Sequence, residues 1–320
     1  MKVLVVTNMY PDALRPYNGV FVAEQMAAIK RYHLDVDYDV CYIEGENKGK
    51  AEYLKSIFRV NHMISHGDYD IVHIHFGISG IYLLSPFRKK LPTIVTFHGS
   101  DIQPEGGNGR LTIAISKFVA RTADACITLN KKMDALVKRY NANTFMVPCA
   151  VDTQVFYPRR KETVNKKKQI VFPSSHNMAV KNYPLFCEVI KLLHTRHGID
   201  CEERELTGLS RTEVADLFNT ADLLLMTSHS EGSPQAVKEA LACNLPVVAT
   251  PVGDVATLLE GVRNCSVSHT HSAQELAQLA KDSLLGADIG REGSQRIKQL
   301  HLDTKSVSDN IYRIYEQSIH

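Results

Sequence analysis

Residues 222–254, DLLLMTSHSEGSPQAVKEALACNLPVVATPVGD, constrain the fold of this chain more than any other stretch. Leu223 to Met226 is an apolar run short enough for a buried strand of a parallel sheet. A turn cluster follows (Ser228, Ser230, Gly232, Ser233, Pro234), and Gln235 to Ala242 has helical periodicity closed by Asn244 and Pro246. A second apolar strand, Val247 to Ala249, completes a β-turn-α-β unit, which places the chain among layered α/β proteins.

The turn carries specific chemistry. Ser233 is placed to cap the helix and Pro234 to be its first residue, where the missing N–H is harmless. The amides of Gln235 and Ala236 then point out of the helix start with the positive end of its dipole, a seat for a diphosphate. Glu231 precedes the turn and Glu239 lies eight residues on, inside the helix. Two carboxylates and an anion-binding helix start, at the carboxyl edge of a parallel sheet, describe a site for a phosphorylated, hydroxyl-rich ligand. The same spacing is also that of a surface turn with one capping and one solvated Glu, and spacing alone does not choose between the two.

The ordered string E-G-S-P-x-x-V-x-E-A (Glu231 to Ala240), with T-S before it and P-V-V-A-T-x-V-G-D after, resembles the nucleotide-sugar motif of the retaining GT-B glycosyltransferases of family 4. The resemblance implies that Glu239 holds the ribose hydroxyls, that the amides after Gly232 (Ser233, Gln235 and Ala236 around Pro234) hold the pyrophosphate, and that Glu231 contacts the transferred sugar. The expected fold is two Rossmann-like β/α/β domains facing across a cleft, residues 1–157 and 158–303, with a helix at 304–320 crossing back to the first.

Other stretches fit that frame. Lys2 to Thr7 is an apolar strand feeding a loop and a helix from Phe21 to Arg31, but the G-x-G-x-x-G dinucleotide fingerprint is absent. In the family, a glycine at the place of Gly19 lets the backbone approach the donor phosphate; a glycine that merely permits the turn is the plainer reading. The strand Asp70 to Phe76 carries His73 and His75 on one face, and the family often has a histidine near His75, on the acceptor side. The strand Thr93 to Phe97 ends in His98-Gly99-Ser100-Asp101, similar to the family's H-G-x-D. That resemblance gives His98 a contact to the donor sugar and puts its neighbourhood, with Asp101, toward the acceptor; Asp101 as a turn cap is the alternative. Ile78 to Phe87 is expected to be helical, the run GGNG at 106–109 a flexible loop, and Thr304 to Ser318 an amphipathic helix.

In the second half, the family's loop after the strand Gln169 to Phe172 supplies an Arg and a Lys to the donor phosphates. Lys181 matches the Lys, but no arginine lies between Arg160 and Arg196, and His176 is the nearest substitute. The resemblance places the nucleobase against backbone near Leu206 to Leu209. Asp35, Asp37 and Asp39 offer a D-x-D pattern, but at the start of a strand, as on a half-exposed edge, so no metal is expected there. No cofactor is expected; the nucleoside-diphosphate sugar is a substrate.

Composition excludes other classes. A net charge of +2 over 320 residues argues against a nucleic-acid binder. No apolar run reaches the ~18 residues of a membrane span. Seven cysteines are scattered without a C-x-x-C pair, and several sit in apolar runs and read as small core residues of a reducing, cytoplasmic compartment. The resulting expectation is a metal-independent transferase moving sugar from a nucleotide-sugar donor to a glycan or lipid-linked acceptor in surface-polysaccharide synthesis. Peripheral membrane contact through Arg88 to Lys90, Lys131 to Arg139, or the charged linker Arg159 to Lys168 stays open. A sugar-nucleotide binder without catalysis, a GT-B epimerase and, more remotely, an NAD oxidoreductase are the alternatives.

Overall fold

Every strand pairing in the computed structural model is parallel, as apolar strands separated by helices require. The structure describes residues 1–15, 18–103, 109–159, 167–286 and 292–319. It divides into two units, Met1–Ala150 with Thr304–His320, and Val151–Asp303.

The first unit runs β1 (Lys2–Thr7), α1 (Val20–Tyr32), β2 (Asp37–Tyr42), α2 (Gly45–Lys48), α3 (Ala51–His66), β3 (Ile71–His75), a 3-10 stretch Gly77–Leu84, β4 (Thr93–Thr96), α4 (Arg110–Thr122), β5 (Ala125–Thr128), α5 (Lys131–Val137) and β6 (Thr144–Met146). Its sheet order is β2-β1-β3-β4-β5-β6. Alternation along the strands sends Leu4, Val6, Val72 and Ile74 to a core under α3, α4 and α5. Val3, Val5 and Ile71 point the other way, onto α1 and the last helix of the chain.

The second unit runs β7 (Lys168–Phe172), a 3-10 turn Ala179–Lys181, α6 (Tyr183–His197), β8 (Cys201–Glu205), α7 (Arg211–Thr220), β9 (Leu223–Met226), α8 (Gln235–Ala242), β10 (Val247–Ala249), α9 (Val255–Leu259), β11 (Ser266–Val267), α10 (Ala273–Leu285) and α11 (Glu292–Gln299), in sheet order β11-β10-β9-β7-β8. One face packs on α7, α8, α9 and α11 and the other on α6 and α10. The final helix, α12 (Thr304–Ile319), then buries Val307, Ile311, Ile314 and Tyr315 in the first unit.

Two expectations change in detail. The division falls at Ala150/Val151, because the Val151 N–H donates to Leu302 O and Phe156 lies in the second unit's core. Residues 77–84 are 3-10 rather than a helix to Phe87. A Cβ on Gly77 would lie 2.3 Å from Ser116 Oγ and one on Gly80 2.7 Å from Val119 Cγ1, so α4 presses on that segment, and Pro86 ends it. The GGNG run lies outside the described residues except for Gly109. Asp37 and Asp39 do sit on an edge strand, where they pair with Lys30 and Lys2.

Candidate active site

In the second unit the β9–α8 turn gathers most of the expected residues. Lys181, at the end of its 3-10 turn, donates from Nζ to Glu231 Oε1 at 2.7 Å, and the Ser228 hydroxyl donates to the same oxygen at 2.7 Å. Thr227 Oγ1 donates to the carbonyls of Lys181 and Asn182, fixing the lysine's loop to the end of β9. Cation and acid are therefore held together by the fold.

The helix start differs from the reading above. Pro234 is the N-cap, extended at φ −67° and ψ 116°, and α8 begins at Gln235. Ser233 does not cap it: its hydroxyl donates to Asp254 Oδ2 at 2.6 Å, a carboxylate being the stronger acceptor. Helical geometry still leaves the first-turn N–H groups of Ala236 and Val237 without an intrahelical acceptor. The turn is braced from behind. Gly253, at φ +58°, comes so close that a Cβ there would lie 2.6 Å from Gly232 O. Burial raises the Asp254 carboxyl above the ordinary aspartate range, with the wholly buried Lys238 ammonium and Ser233 drawing it back.

Glu239 lies buried on α8 and accepts from Arg211 Nη2 at 2.5 Å. Arg211 is the first residue of α7 and lies over the Phe156 ring, 4.7 Å from its centroid. Inspection of the motif alone missed this arginine. Its signal was the capping box Ser210–Glu213, which fixes where α7 begins. His271, in the loop after β11, bonds the Ser228 carbonyl through Nε2 at 3.2 Å, and its ring stacks on His229.

His176 does not join Lys181 in this structure. Its Nε2 lies 2.5 Å from Glu203 Oε1 and its ring stacks on Tyr183 at 3.8 Å, so the imidazole is tied to carboxylates on β8. Leu206, just past β8, packs half-buried against the unit's core, with Gly208 following at φ +79°.

In the first unit, the H-G-S-D turn is built by Asp101. Its wholly buried carboxylate accepts from the N–H groups of Gly77, His98 and Gly99 at 2.9, 3.0 and 3.0 Å. Burial pushes its pKa up to about 6 against those three donors. Asp101 thus caps the turn and fixes the backbone of His98.

His98 lies against Phe21 and Phe76, and its Nε2 is 3.2 Å from His75 Nδ1. Among the described residues, His75 Nε2 is buried without a hydrogen-bond partner. A buried N–H with no acceptor is costlier than a bare lone pair, so the network assigns the His75 proton to Nδ1, donated to His98. His73, behind it, bonds Tyr315 OH at 2.7 Å and Thr96 Oγ1 at 2.8 Å. Gly19 caps α1 at φ +66°, and a Cβ there would lie 2.3 Å from the Met9 carbonyl. Glycine is required by the chain itself at that point.

The family model "Glycosyltransferase Family 4" matches residues 2–155 and "Glycosyl transferases group 1" matches residues 167–284. The chain belongs to glycosyltransferase family 4. It is similar to a putative teichuronic acid biosynthesis glycosyltransferase, TuaC, of Bacillus subtilis, 22% identical over 87% of this chain and 88% of that one. It is also similar to an N-acetyl-alpha-D-glucosaminyl L-malate synthase of Bacillus anthracis, 25% identical over 75% and 72%. Among solved structures, sucrose-phosphate synthase of Thermosynechococcus elongatus superposes with TM-score 0.78 at 13% identity, covering 99% and 98% of the two chains. Anabaena HepE in complex with UDP and glucose superposes with TM-score 0.73 at 14% identity, covering 99% and 100%. The fold is GT-B and the protein is a glycosyltransferase. No helix among the described residues is long and apolar enough to cross a membrane.

Proposed function

We propose that this glycosyltransferase retains anomeric configuration while moving sugar from a nucleoside-diphosphate donor to a glycan or lipid-linked acceptor of cell-surface polysaccharide. The Lys181–Glu231 pair beside the start of α8, with Glu239 deeper on the same helix, carries the reading. Glu239 takes the ribose hydroxyls, held in place by Arg211. The amides at 232–236 and Lys181 take the diphosphate, and Glu231 the transferred sugar. Gly19 and Leu206 complete the donor contacts, and His75 orients His98.

As the bond from the anomeric carbon to phosphate breaks, negative charge grows on the leaving diphosphate, and Lys181 with the α8 dipole stabilises it. An acceptor hydroxyl, held by the first unit near His98, attacks on the same face. Its proton passes to the departing phosphate, so no metal and no protein nucleophile are needed. The proposed reaction is cytoplasmic, with peripheral contact to the inner face of a membrane.

Titration of UDP, GDP and ADP against the wild type and Glu239→Ala tests the donor site. Loss of the ribose contact is expected to cost about 2 kcal/mol, roughly 30-fold in affinity. Unchanged affinity would remove the ribose role. Turnover is expected to persist in EDTA; dependence on Mn²⁺ would bring Asp35 and Asp37 back into consideration. His176, tied to Glu203, favours a second reading, a sugar-nucleotide binder without transfer. Product formation from a panel of activated sugars would eliminate it.

A further inference from the structure

Charge is segregated in the first unit in a way the net value conceals. Residues 50–66, 77–92 and 109–122 form α3, the 3-10 stretch with its exit loop, and α4. These 47 residues hold nine lysines and arginines and a single acid, Glu52, so they sum to +8 in a chain of +2 and the remainder sums to −6. Glu52 is buried and already engaged by Lys55 at 2.9 Å, so no exposed acid lies within these three segments; the nearest is Asp124, just past α4, which lines a cavity with Arg88, Lys89 and Lys90.

The segments are contiguous. The 3-10 stretch packs against both α3 and α4, and the Lys89 N–H donates to Asn61 Oδ1 on α3. Leu54 of α3 and Leu111 of α4 line one cavity of about 690 Å³; Arg88, Lys89 and Lys90 line another with Thr122 at the end of α4. Lys117 and Arg121 flank Tyr140 on the same side.

This cationic layer also exposes apolar side chains. Of thirteen large hydrophobic residues left exposed among the described residues, six are here: Leu54, Phe58, Leu84, Phe87, Leu111 and Phe118. Phe58 is 79% exposed and Phe87 89%. A solvated face would carry cations with acids interspersed and few aromatics, whereas a nucleic-acid face would not need protruding Leu and Phe. Cations that reach headgroup phosphates around apolar groups that enter the acyl boundary are what a bilayer surface demands.

We propose that the α3, 77–92 and α4 face of the first unit docks on an anionic lipid bilayer. This deepens the peripheral-membrane part of the proposed function and rests on that part alone. Vesicle binding is read without turnover and donor binding without vesicles, so the two readings fail separately.

The full chain is to be floated with vesicles of phosphatidylcholine alone and of phosphatidylcholine with phosphatidylglycerol. Binding is expected to the anionic vesicles only and to weaken with salt. Lys89→Ala with Lys90→Ala is expected to weaken it about fivefold for each cation removed. Phe58→Ser with Phe87→Ser is expected to weaken it as well, whereas Lys191→Ala on α6 leaves it unchanged. Melting curves of each variant show whether it is folded, and the two exposed pairs test the face independently. Equal binding to neutral vesicles, or full binding by both double variants, overturns the proposal. So does salt-dependent binding to a duplex oligonucleotide, unaffected by the phenylalanine changes, in the absence of vesicle binding.

Discussion

Two imidazoles on one strand set the acid limit of the first unit. His73 and His75 are wholly buried; burial lowers His73 to about 3 and, helped by the neighbouring imidazoles, holds His75 well below its ordinary value. A base whose folded pKa lies below its unfolded one stabilises the fold above about pH 6.5, and that contribution drains as pH falls toward the folded value. Asp101, raised to about 6, acts in the opposite sense: its contribution is present below about pH 3.9 and is lost as pH rises through 6. Two histidines act against one aspartate, so the first unit should lose stability as pH falls below about 6.5. His75→Asn should flatten that slope in pH-dependent denaturation; an unchanged slope would mean His75 does not titrate on unfolding. Pairing decides roles here. His75 and His98 were singled out by resemblance, but only folded distances reveal that they share a proton, and only they reveal Asp101 beneath three amides.

At the scale of elements, the β9–α8 unit was legible because its period, turn residues and stops agree. The brace behind it was not. Gly253 belongs to the loop before α9 and meets Gly232 only after two strands pair. Gly253→Ala should therefore strain a φ of +58° and push the Gly232 carbonyl, shifting the α8 start. The expected result is a stability loss of about 1–3 kcal/mol with a larger loss of UDP affinity, checked by calorimetry of the variant with and without UDP. Arg211 makes a related case at the other end of the helix. Arg211→Met should leave Glu239 buried with its cation gone; a loss of about 1–3 kcal/mol follows once the partial exposure of the arginine is discounted. Urea denaturation measures it, and a variant as stable as wild type would show that the pair is only a surface contact.

At the scale of the whole molecule, the first unit is discontinuous: its core is closed by α12, made after the entire second unit. A chain ending at Asp303 should lose much of the first unit's stability while the second keeps its nucleotide affinity. Ile311→Ala alone should cost about 2–4 kcal/mol. Two-transition calorimetry with and without UDP separates these effects, and an unchanged first-unit transition would contradict the packing. Tyr315 couples this helix to the histidine pair through His73. The net charge of +2 is a whole-chain quantity too, and it hid a face of +8.

Local pattern determined the strands, the helices, the parallel sheets and the turn that carries Glu231 and Glu239, because each depends on neighbours within about a dozen residues. Tertiary structure decided what those residues touch. Ser233 turned to Asp254 instead of the helix, His176 to Glu203 instead of Lys181, and Glu239 to an arginine 28 positions away. A polar side chain takes the strongest partner that packing brings within about 3 Å, and which partner arrives depends on strand order and helix placement rather than on sequence distance.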